Sequence, residues 1–154
     1  MRIILLVVGR LKKGPEKELA DDYIARFNKA GRQLGFRGLD LIEVESGGGM
    51  VAEGARLLAK IPNGAKVLRL DEHGPQMVSK DFAKHLAKLR DQGVPDLVFL
   101  IGGAEGYCPA VREACPDMLA FGPQTWPHRL IKVMLTEQIY RAASLLAGSP
   151  YHKA

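Results

Sequence analysis

Short apolar runs alternate with helical segments along this chain, and that alternation limits the folds open to it. The run at residues 3–8 is continuously apolar and ends at Gly9, as expected of a strand buried on both faces. Residues 96–101 are predicted to be another such strand. Strands of this kind occur mainly in parallel sheets that helices cover. The alternation therefore predicts an α/β fold, with a mostly parallel sheet flanked by helices on both faces.

Five strands and five helices follow from the same pattern. The first helix is expected to begin at Pro15, since proline suits a first helical turn and the acidic Glu16 and Glu18 come next. Ser79 is predicted to be the N-cap of the third helix. The predicted strands are 3–8, 39–44, 66–71, 96–101 and 118–121, and the helices are 15–30, 51–61, 79–91, 109–114 and 128–148.

Composition narrows the class of protein. The chain has 154 residues, enough for one domain with a core of its own, and residues 1–154 are expected to form a single domain. Its 47% hydrophobic and 25% charged residues exclude a disordered chain. The net charge of +5 fits an anionic partner such as nucleic acid, which positive charge attracts over long distances.

Several other classes are disfavoured. Two cysteines, Cys108 and Cys115, are too few for a disulfide framework, and their spacing matches no zinc motif, so no metal is expected. The opening apolar run is too short for a signal peptide, and no run approaches the length that spans a membrane. We therefore expect a cytoplasmic protein.

The glycine-rich loop at residues 102–106 follows the fourth strand and has two interpretations. It departs from G-x-G-x-x-G, it lacks the Lys-Ser/Thr pair of a P-loop, and Glu105 would repel a phosphate. The loop is either a tight turn that needs positive φ, or a place where the backbone approaches a ligand closely. Such a ligand would be a neutral or cationic adenosine-type cofactor rather than a polyphosphate.

Two further segments are candidates for the same site. The loop at 122–127 holds two prolines and a glycine, so it is either a rigid connection whose Trp126 fills the core or one wall of a pocket. Loops that follow Leu70, Ile101 and Phe121 leave strands at the carboxyl edge, where ligands bind in such sheets. The polar tail at 149–153 is expected to meet the glycine-rich loop at one site.

The final helix carries a broad apolar surface, which either serves only the core or covers the sheet and also contacts another subunit. Glu137 and Arg141 are four residues apart, which predicts a surface ion pair. His128 and Arg129 stand near the helix start, where positive charge opposes the helix dipole, so they are expected to face an anion.

Together these segments closely resemble the RlmH family, the bacterial 23S rRNA (pseudouridine-N3)-methyltransferases of the SPOUT superfamily. The likeness covers the whole chain, although Ala104, Cys108 and Trp126 depart from the commonest pattern. The motifs that carry it are Leu70-Asp71, residues 100–106, Pro127-His128, residues 137–142 and Pro150-Tyr151-His152-Lys153.

The resemblance implies a specific enzyme. Members have an α/β fold whose C-terminal segment forms a deep trefoil knot, a rare exception to ordinary chain topology. They bind S-adenosyl-L-methionine in the knot, act as homodimers, and methylate N3 of a pseudouridine in the helix 69 stem-loop of 23S rRNA on the assembled ribosome.

The resemblance also implies site residues. Arg141, Tyr151 and His152 match positions that handle the substrate, with Glu137 and His128 as weaker candidates. His152 would accept the imide proton or orient the base, and Arg141 would stabilise the developing anion. The cofactor pocket would involve Leu70, Gly102, Gly103, Gly122, Pro123, Gln124, Thr125, Trp126 and Pro127.

RNA binding is expected to depend on contacts to phosphates. The expected contacts are Arg10, Lys12, Lys13, Arg129, Lys132 and Lys153. Two other functions stay open on the sequence: a non-catalytic, ribosome-associated RNA-binding module, and a nucleotide-binding α/β enzyme with phosphate chemistry.

Overall fold

The computed structural model describes residues 1–153 and contains one five-stranded sheet in the order β2-β1-β4-β3-β5. All four strand pairs are parallel, which confirms the predicted α/β fold. The strands are β1 (Arg2–Val8), β2 (Gly38–Val44), β3 (Lys66–Leu70), β4 (Asp96–Ile101) and β5 (Met118–Leu119). The helices are α1 (Pro15–Gly31), α2 (Met50–Lys60), α3 (Ser79–Asp91), α4 (Pro109–Ala114) and α5 (His128–Ala147), with 3₁₀ turns at Arg32–Leu34 and Pro150–Lys153.

Helices cover both faces of the sheet. Odd-numbered apolar positions of β1 belong to one core and even-numbered positions to another, because successive side chains of a strand point to opposite faces. The first core includes Phe27 of α1, Leu86 of α3 and Leu135 of α5. The second includes Leu57 of α2 and Val111 of α4. The central strands β1 and β4 are buried on both sides, which is why they are apolar throughout.

Two local predictions are wrong. Ser79 is the first residue of α3 rather than its N-cap, because Val78 holds the extended cap position and makes no side-chain cap. The Ser79 hydroxyl donates instead to Gln138 Oε1 at 2.8 Å, which joins α3 to α5. Strand β5 has two residues rather than four, since only Met118 and Leu119 pair with β3 as strand residues.

The segment that follows β3 packs closely on β5. A Cβ atom at Gly74 would lie 2.7 Å from Met118 Cβ, so only glycine fits there without a shift. The Ala120 amide donates to Pro75 O at 2.9 Å, and Gln76 forms a bridge with Ala120. The trefoil knot stays a prediction, because strand order and register do not define the threading of the chain.

Along residues 1–153, no helix combines the length and the apolar character that crossing a bilayer requires.

Candidate active site

Three loops converge on one cleft at the carboxyl edge of the sheet, as the strand order predicts. They follow β3, β4 and β5, and they enclose about 370 Å³, a volume within the range of small-molecule sites. Of the residues predicted to bind a cofactor, Pro123 and Pro127 do not line the cleft. Those that do are Leu70, Gly102, Gly103, Gly122, Gln124, Thr125 and Trp126.

The glycines of the loop after β4 serve two different purposes. Only Gly106 has a left-handed φ, of 83°, and its amide donates to Gly103 O at 3.0 Å, so the turn itself depends on Gly106. A Cβ atom at Gly103 would lie 2.5 Å from Glu53 Oε1, and one at Gly102 would lie 3.1 Å from the Tyr107 ring. Gly102 and Gly103 are therefore explained by close approach of side chains, and both are buried.

Tyr107 is a part of the cleft that sequence reasoning missed. Its hydroxyl accepts from the Gly102 amide at 3.2 Å and lies 2.9 Å from both Leu70 O and Leu100 O. Burial raises the pKa of Tyr107 well above its ordinary value, so the hydroxyl keeps its proton. The side chain connects the ends of β3 and β4 to the glycine-rich loop.

Arg69 supports Tyr107 from below the cleft and was also missed. The residue is 5% exposed, and its guanidinium lies 5.2 Å from the centre of the Tyr107 ring. Its Nε donates to Cys115 O at 2.6 Å, and its Nη1 lies 3.1 Å from Asp71 Oδ2. An arginine inside a predicted strand was the one signal in the sequence that could have indicated such a buried network.

Carboxylates surround the mouth of the cleft. Burial alone would raise the pKa of Asp71, but hydrogen bonds from the backbone and ring of His73 and the charge of Arg69 lower it below its ordinary value. The Thr125 hydroxyl donates to Glu72 Oε2 at 2.6 Å, which joins the loops after β3 and β5. Glu105 lines the cleft as well. Arg112 lines the cleft too, so three carboxylates stand beside one guanidinium. The net negative charge favours a neutral or cationic ligand over a polyphosphate.

Trp126 forms a wall of the cleft rather than filling the core. It is half-buried, and its indole Nε1 donates to Phe121 O at 3.0 Å. His128 lines the same cleft at the start of α5. Desolvation and the neighbouring Lys132 lower the pKa of His128. The lowered pKa favours the neutral ring. This is contrary to the expectation that a positively charged His128 faces an anion.

The residues predicted to be catalytic form a second cluster, on α5 and the tail. Tyr151 donates to Glu137 Oε1 at 2.9 Å, and Arg141 Nη2 lies 2.7 Å from the same oxygen. The Arg141 guanidinium also lies 5.2 Å from the centre of the Tyr151 ring. His152 Nδ1 lies 3.5 Å from the Ser144 hydroxyl. The pair Glu137–Arg141 was predicted on the surface, but their side chains are only 17% and 25% exposed.

The expectation that the tail and the glycine-rich loop meet is wrong within one chain. No residue of the described tail, 149–153, lines the cleft, whose part of α5 ends at Ile131. The reason is a reversal at Gly148, which has a left-handed φ of 69°. The Ser149 amide donates back to Ser144 O, so the chain turns against α5 near Glu137.

An apolar groove lies between the cleft and this cluster. It encloses about 630 Å³ among α1, α3, α5 and the exit of β5, and its exposed apolar residues include Leu19 and Val78, at 44% and 67% exposure. Phe121 lines both the groove and the cleft. Tyr23 and Glu137, which contact Tyr151, line the groove too.

Lys132, predicted to contact RNA phosphate, is in the wrong place for that role. It is 4% exposed, and its Nζ donates to Gly9 O at 3.2 Å. Desolvation lowers its pKa. Apolar residues at helical spacing already account for the buried stripe of this helix. The sequence pattern therefore contains no sign that this lysine is buried too.

The other basic residues predicted to bind phosphate lie on the surface. Arg10, Lys12 and Lys13 are exposed in the loop after β1, and Lys153 is exposed at the tail. Arg129 Nε lies 3.6 Å from Glu16 Oε1, so part of its charge is already compensated. No group of three potential metal ligands occurs among residues 1–153.

Comparison with known proteins gives consistent matches along the chain. Residues 1–152 match the family described as predicted SPOUT methyltransferase. The chain is 60% identical to the ribosomal RNA large subunit methyltransferase H of Hyphomonas neptunium, over 100% of both chains. It is 49% identical to the protein of the same name from Rhodopseudomonas palustris strain ATCC BAA-98 / CGA009, again over 100% of both chains.

Among solved structures, the chain is similar to the SpoU methyltransferase AviRb from Streptomyces viridochromogenes, crystallised in complex with AdoMet. The sequence identity is 17% and the TM-score 0.41, over 90% of this chain and 56% of that one. This likeness is too distant to extend the description of the fold.

Proposed function

The chain belongs to the SPOUT methyltransferase family, and we propose that it transfers a methyl group from S-adenosyl-L-methionine to large-subunit ribosomal RNA. The acceptor implied by the sequence resemblance is N3 of a pseudouridine in the helix 69 stem-loop of 23S rRNA. The two relatives named above, which match over their full length, support the ribosomal substrate.

The observation that carries the proposal is the convergence of three strand-exit loops on one cleft. The cleft offers backbone groups at Leu70, Gly102 and Gly103, the Trp126 ring as a flat apolar wall, and carboxylates at its mouth. An adenosine with a sulfonium group needs an apolar surface for the base, backbone partners for its polar atoms and surroundings that are not positively charged overall. Asp71, Glu72 and Glu105 outnumber Arg112 along the lining. The residues present fit that ligand.

The bound donor would supply an activated methyl group, so the chain's own task is alignment and proton removal. The reaction breaks the sulfur–methyl bond, forms a bond from the acceptor nitrogen to the methyl carbon, and releases the imide proton. We assign acceptance of that proton, or orientation of the base, to His152. Arg141 stabilises the developing imide anion, and Tyr151 holds Arg141 and Glu137 in place.

We further propose that the active unit is a homodimer. In one chain the cluster around Tyr151 and the cleft lie on either side of the apolar groove. The residues predicted to be catalytic are therefore separated from those predicted to bind the donor. A second copy seated on the groove would cover Leu19 and Val78 and bring its tail towards the cleft across Phe121. Exposed apolar grooves of this kind favour association.

RNA binding is assigned to the exposed basic loop after β1, which carries Arg10, Lys12 and Lys13. Contacts of this type release counterions, so affinity should fall steeply with salt. The proposed substrate is the assembled ribosome in the cytoplasm, and the names of the two relatives support ribosomal RNA as the target.

Methyl transfer to ribosomes tests the proposal directly. Ribosomes from a bacterial strain without its own copy of this enzyme would be incubated with the protein and radiolabelled S-adenosyl-L-methionine. We expect label in 23S rRNA, located by mass spectrometry of nuclease fragments to a methylated pseudouridine in helix 69. Ribosomes from the parent strain, already modified, are the matched control and should accept little label.

Calorimetry separates the alternatives. Binding of S-adenosyl-L-methionine but not ATP is expected. Ribosome binding without affinity for the methyl donor would instead support a non-catalytic RNA-binding module, and binding of ATP or phosphate in the cleft would support phosphate chemistry.

A further inference from the structure

We infer that Tyr107 is a positioning residue of the donor cleft: its hydroxyl joins the end of β3 to the glycine-rich loop and sets the orientation of that loop. The inference rests on the proposed function, since it concerns how the cleft holds the methyl donor. Tyr107 is not assigned a part in the chemical step.

The first step of the argument is the set of partners. The Tyr107 hydroxyl contacts Leu70 O at the end of β3, Leu100 O near the end of β4, and the Gly102 amide at the start of the glycine-rich loop. Two of these groups belong to the ends of neighbouring strands and the third to the loop that follows β4. One side-chain atom therefore connects the end of β3 to the start of the glycine-rich loop.

The second step is that the hydroxyl can satisfy only some of these groups at once. It has one proton, so it donates to Leu70 O or to Leu100 O, while it accepts from Gly102. Leu70 lines the cleft, whereas Leu100 is fully buried, so of these two carbonyls Leu70 O is the one within reach of a ligand. Because Leu100 O lies at the same distance of 2.9 Å, the hydroxyl can donate there while Leu70 O accepts a hydrogen bond from the ligand.

The third step is rigidity. Tyr107 is 6% exposed, and the buried Arg69 guanidinium covers its ring at 5.2 Å. Arg69 is itself fixed by Cys115 O and Asp71. The ring has no room to rotate away, and a Cβ atom at Gly102 would lie within 3.1 Å of it. The position of the hydroxyl is thus set by packing before any ligand arrives, which reduces the cost of ordering the loop on binding.

The test is the variant Tyr107→Phe, which removes the hydroxyl and keeps the ring and its contact with Arg69. Donor affinity would be measured by calorimetry with S-adenosyl-L-methionine and with its demethylated product. We expect roughly tenfold weaker binding of both, because buried backbone groups lose a partner and the loop is less ordered. The KM for the donor should rise by a similar factor, and the KM for ribosomes should stay unchanged.

Tyr140→Phe is the matched control. Tyr140 lies on α5 against Tyr151 and Tyr23, outside the cleft, so its hydroxyl should not affect donor affinity. Melting temperatures of all three proteins show whether binding is measured on folded protein. A Tyr107→Phe protein with lower thermal stability and unchanged donor affinity would overturn the inference, since Tyr107 would then be merely structural. If the unaltered protein bound neither compound, the proposed function itself would fall, and the role of Tyr107 with it.

Discussion

At the scale of single residues, the cleft depends on polar side chains inside the sheet. Burying the Arg69 charge costs free energy unless the charge is paired and hydrogen-bonded. Here Cys115 O, Asp71 and the Tyr107 ring together compensate it. Arg69 in turn holds the Tyr107 ring in a fixed position beside the cleft. The burial of Tyr107 gives the stability of the folded protein a measurable pH signature.

The signature is a loss of stability at high pH that depends on Tyr107. Burial raises its pKa in the folded state, so the folded protein keeps a proton that the unfolded chain releases above the ordinary pKa of about 10. The stabilisation is complete below that pH and is lost as the pH rises further. The unfolding free energy of the native protein, minus that of Tyr107→Phe, should therefore shrink above about pH 10, by up to about 1.4 kcal/mol per pH unit.

Urea unfolding of both proteins between about pH 8 and about pH 11.5 measures this difference. The remaining tyrosines and lysines titrate in both proteins and cancel in the comparison. A difference that stayed constant across the whole range would show that Tyr107 ionises as freely in the folded as in the unfolded chain.

The sequence could predict which residues line the cleft but not why they are there. Leu70, Gly102 and Trp126 were identified, and they do line it. The two reasons for glycine in the loop could not be separated, because the atoms that exclude a side chain at Gly103 belong to Glu53, fifty positions away. Tyr107 and Arg69 were missed because each depends on a distant partner as well as near ones. Tyr107 donates to Leu70 O, 37 positions away, and Arg69 donates to Cys115 O, 46 positions away.

At the scale of elements, the end of α5 decides where the predicted catalytic residues lie. Gly148 reverses the chain, and the 3₁₀ turn Pro150–Lys153 then packs on the helix through Tyr151 and Glu137. Glu137 accepts hydrogen bonds from both Tyr151 and Arg141, so it determines the positions of two predicted catalytic groups at once.

Replacing Glu137 by Ala should impair turnover without affecting donor binding. The substitution leaves Arg141 and Tyr151 without their shared partner, and misplaced catalytic groups commonly cost roughly tenfold to a hundredfold in rate. Single-turnover methyl transfer and calorimetry with S-adenosyl-L-methionine measure the two effects separately. Glu137→Gln keeps an acceptor for Tyr151 and should recover part of the rate.

Asp91→Ala is the control for this change, because Asp91 is an exposed carboxylate with a side chain 68% exposed at the end of α3. It should leave the rate unaltered. Equal rates for Glu137→Ala and the native protein would remove the cluster from the mechanism. Sedimentation of each variant checks that the change acts on the site and not on association, since Glu137 also lines the groove.

Elements were largely predictable, and the exceptions share a cause. Continuous apolar runs identified β1 and β4, since a doubly buried strand has no polar face. The short β5 and the role of Ser79 depend on tertiary partners, namely two residues of β3 and Gln138 of α5. Local patterns carry no information about such partners.

At the scale of the whole molecule, strand order places β3 between β4 and β5, so the three exit loops meet. The same order leaves the groove between α1, α3 and α5 exposed beside the cleft. The sequence predicts a functional role for the tail, but it could not predict that the tail lies apart from the cleft. The direction of the chain after Gly148 depends on a left-handed backbone conformation. The proposed dimer across the groove would reconcile the two findings.

Subunit complementation tests this account most directly. One subunit would carry Gly103→Leu, whose side chain collides with Glu53 and so displaces the glycine-rich loop of its cleft. Its differently tagged partner would end at Ser149, which removes the tail. Each variant alone should be inactive as a folded homodimer. In the purified heterodimer one site regains an intact cleft and an intact tail from opposite subunits, so we predict roughly half the native activity per dimer. A heterodimer no more active than its two parents would contradict the composite site.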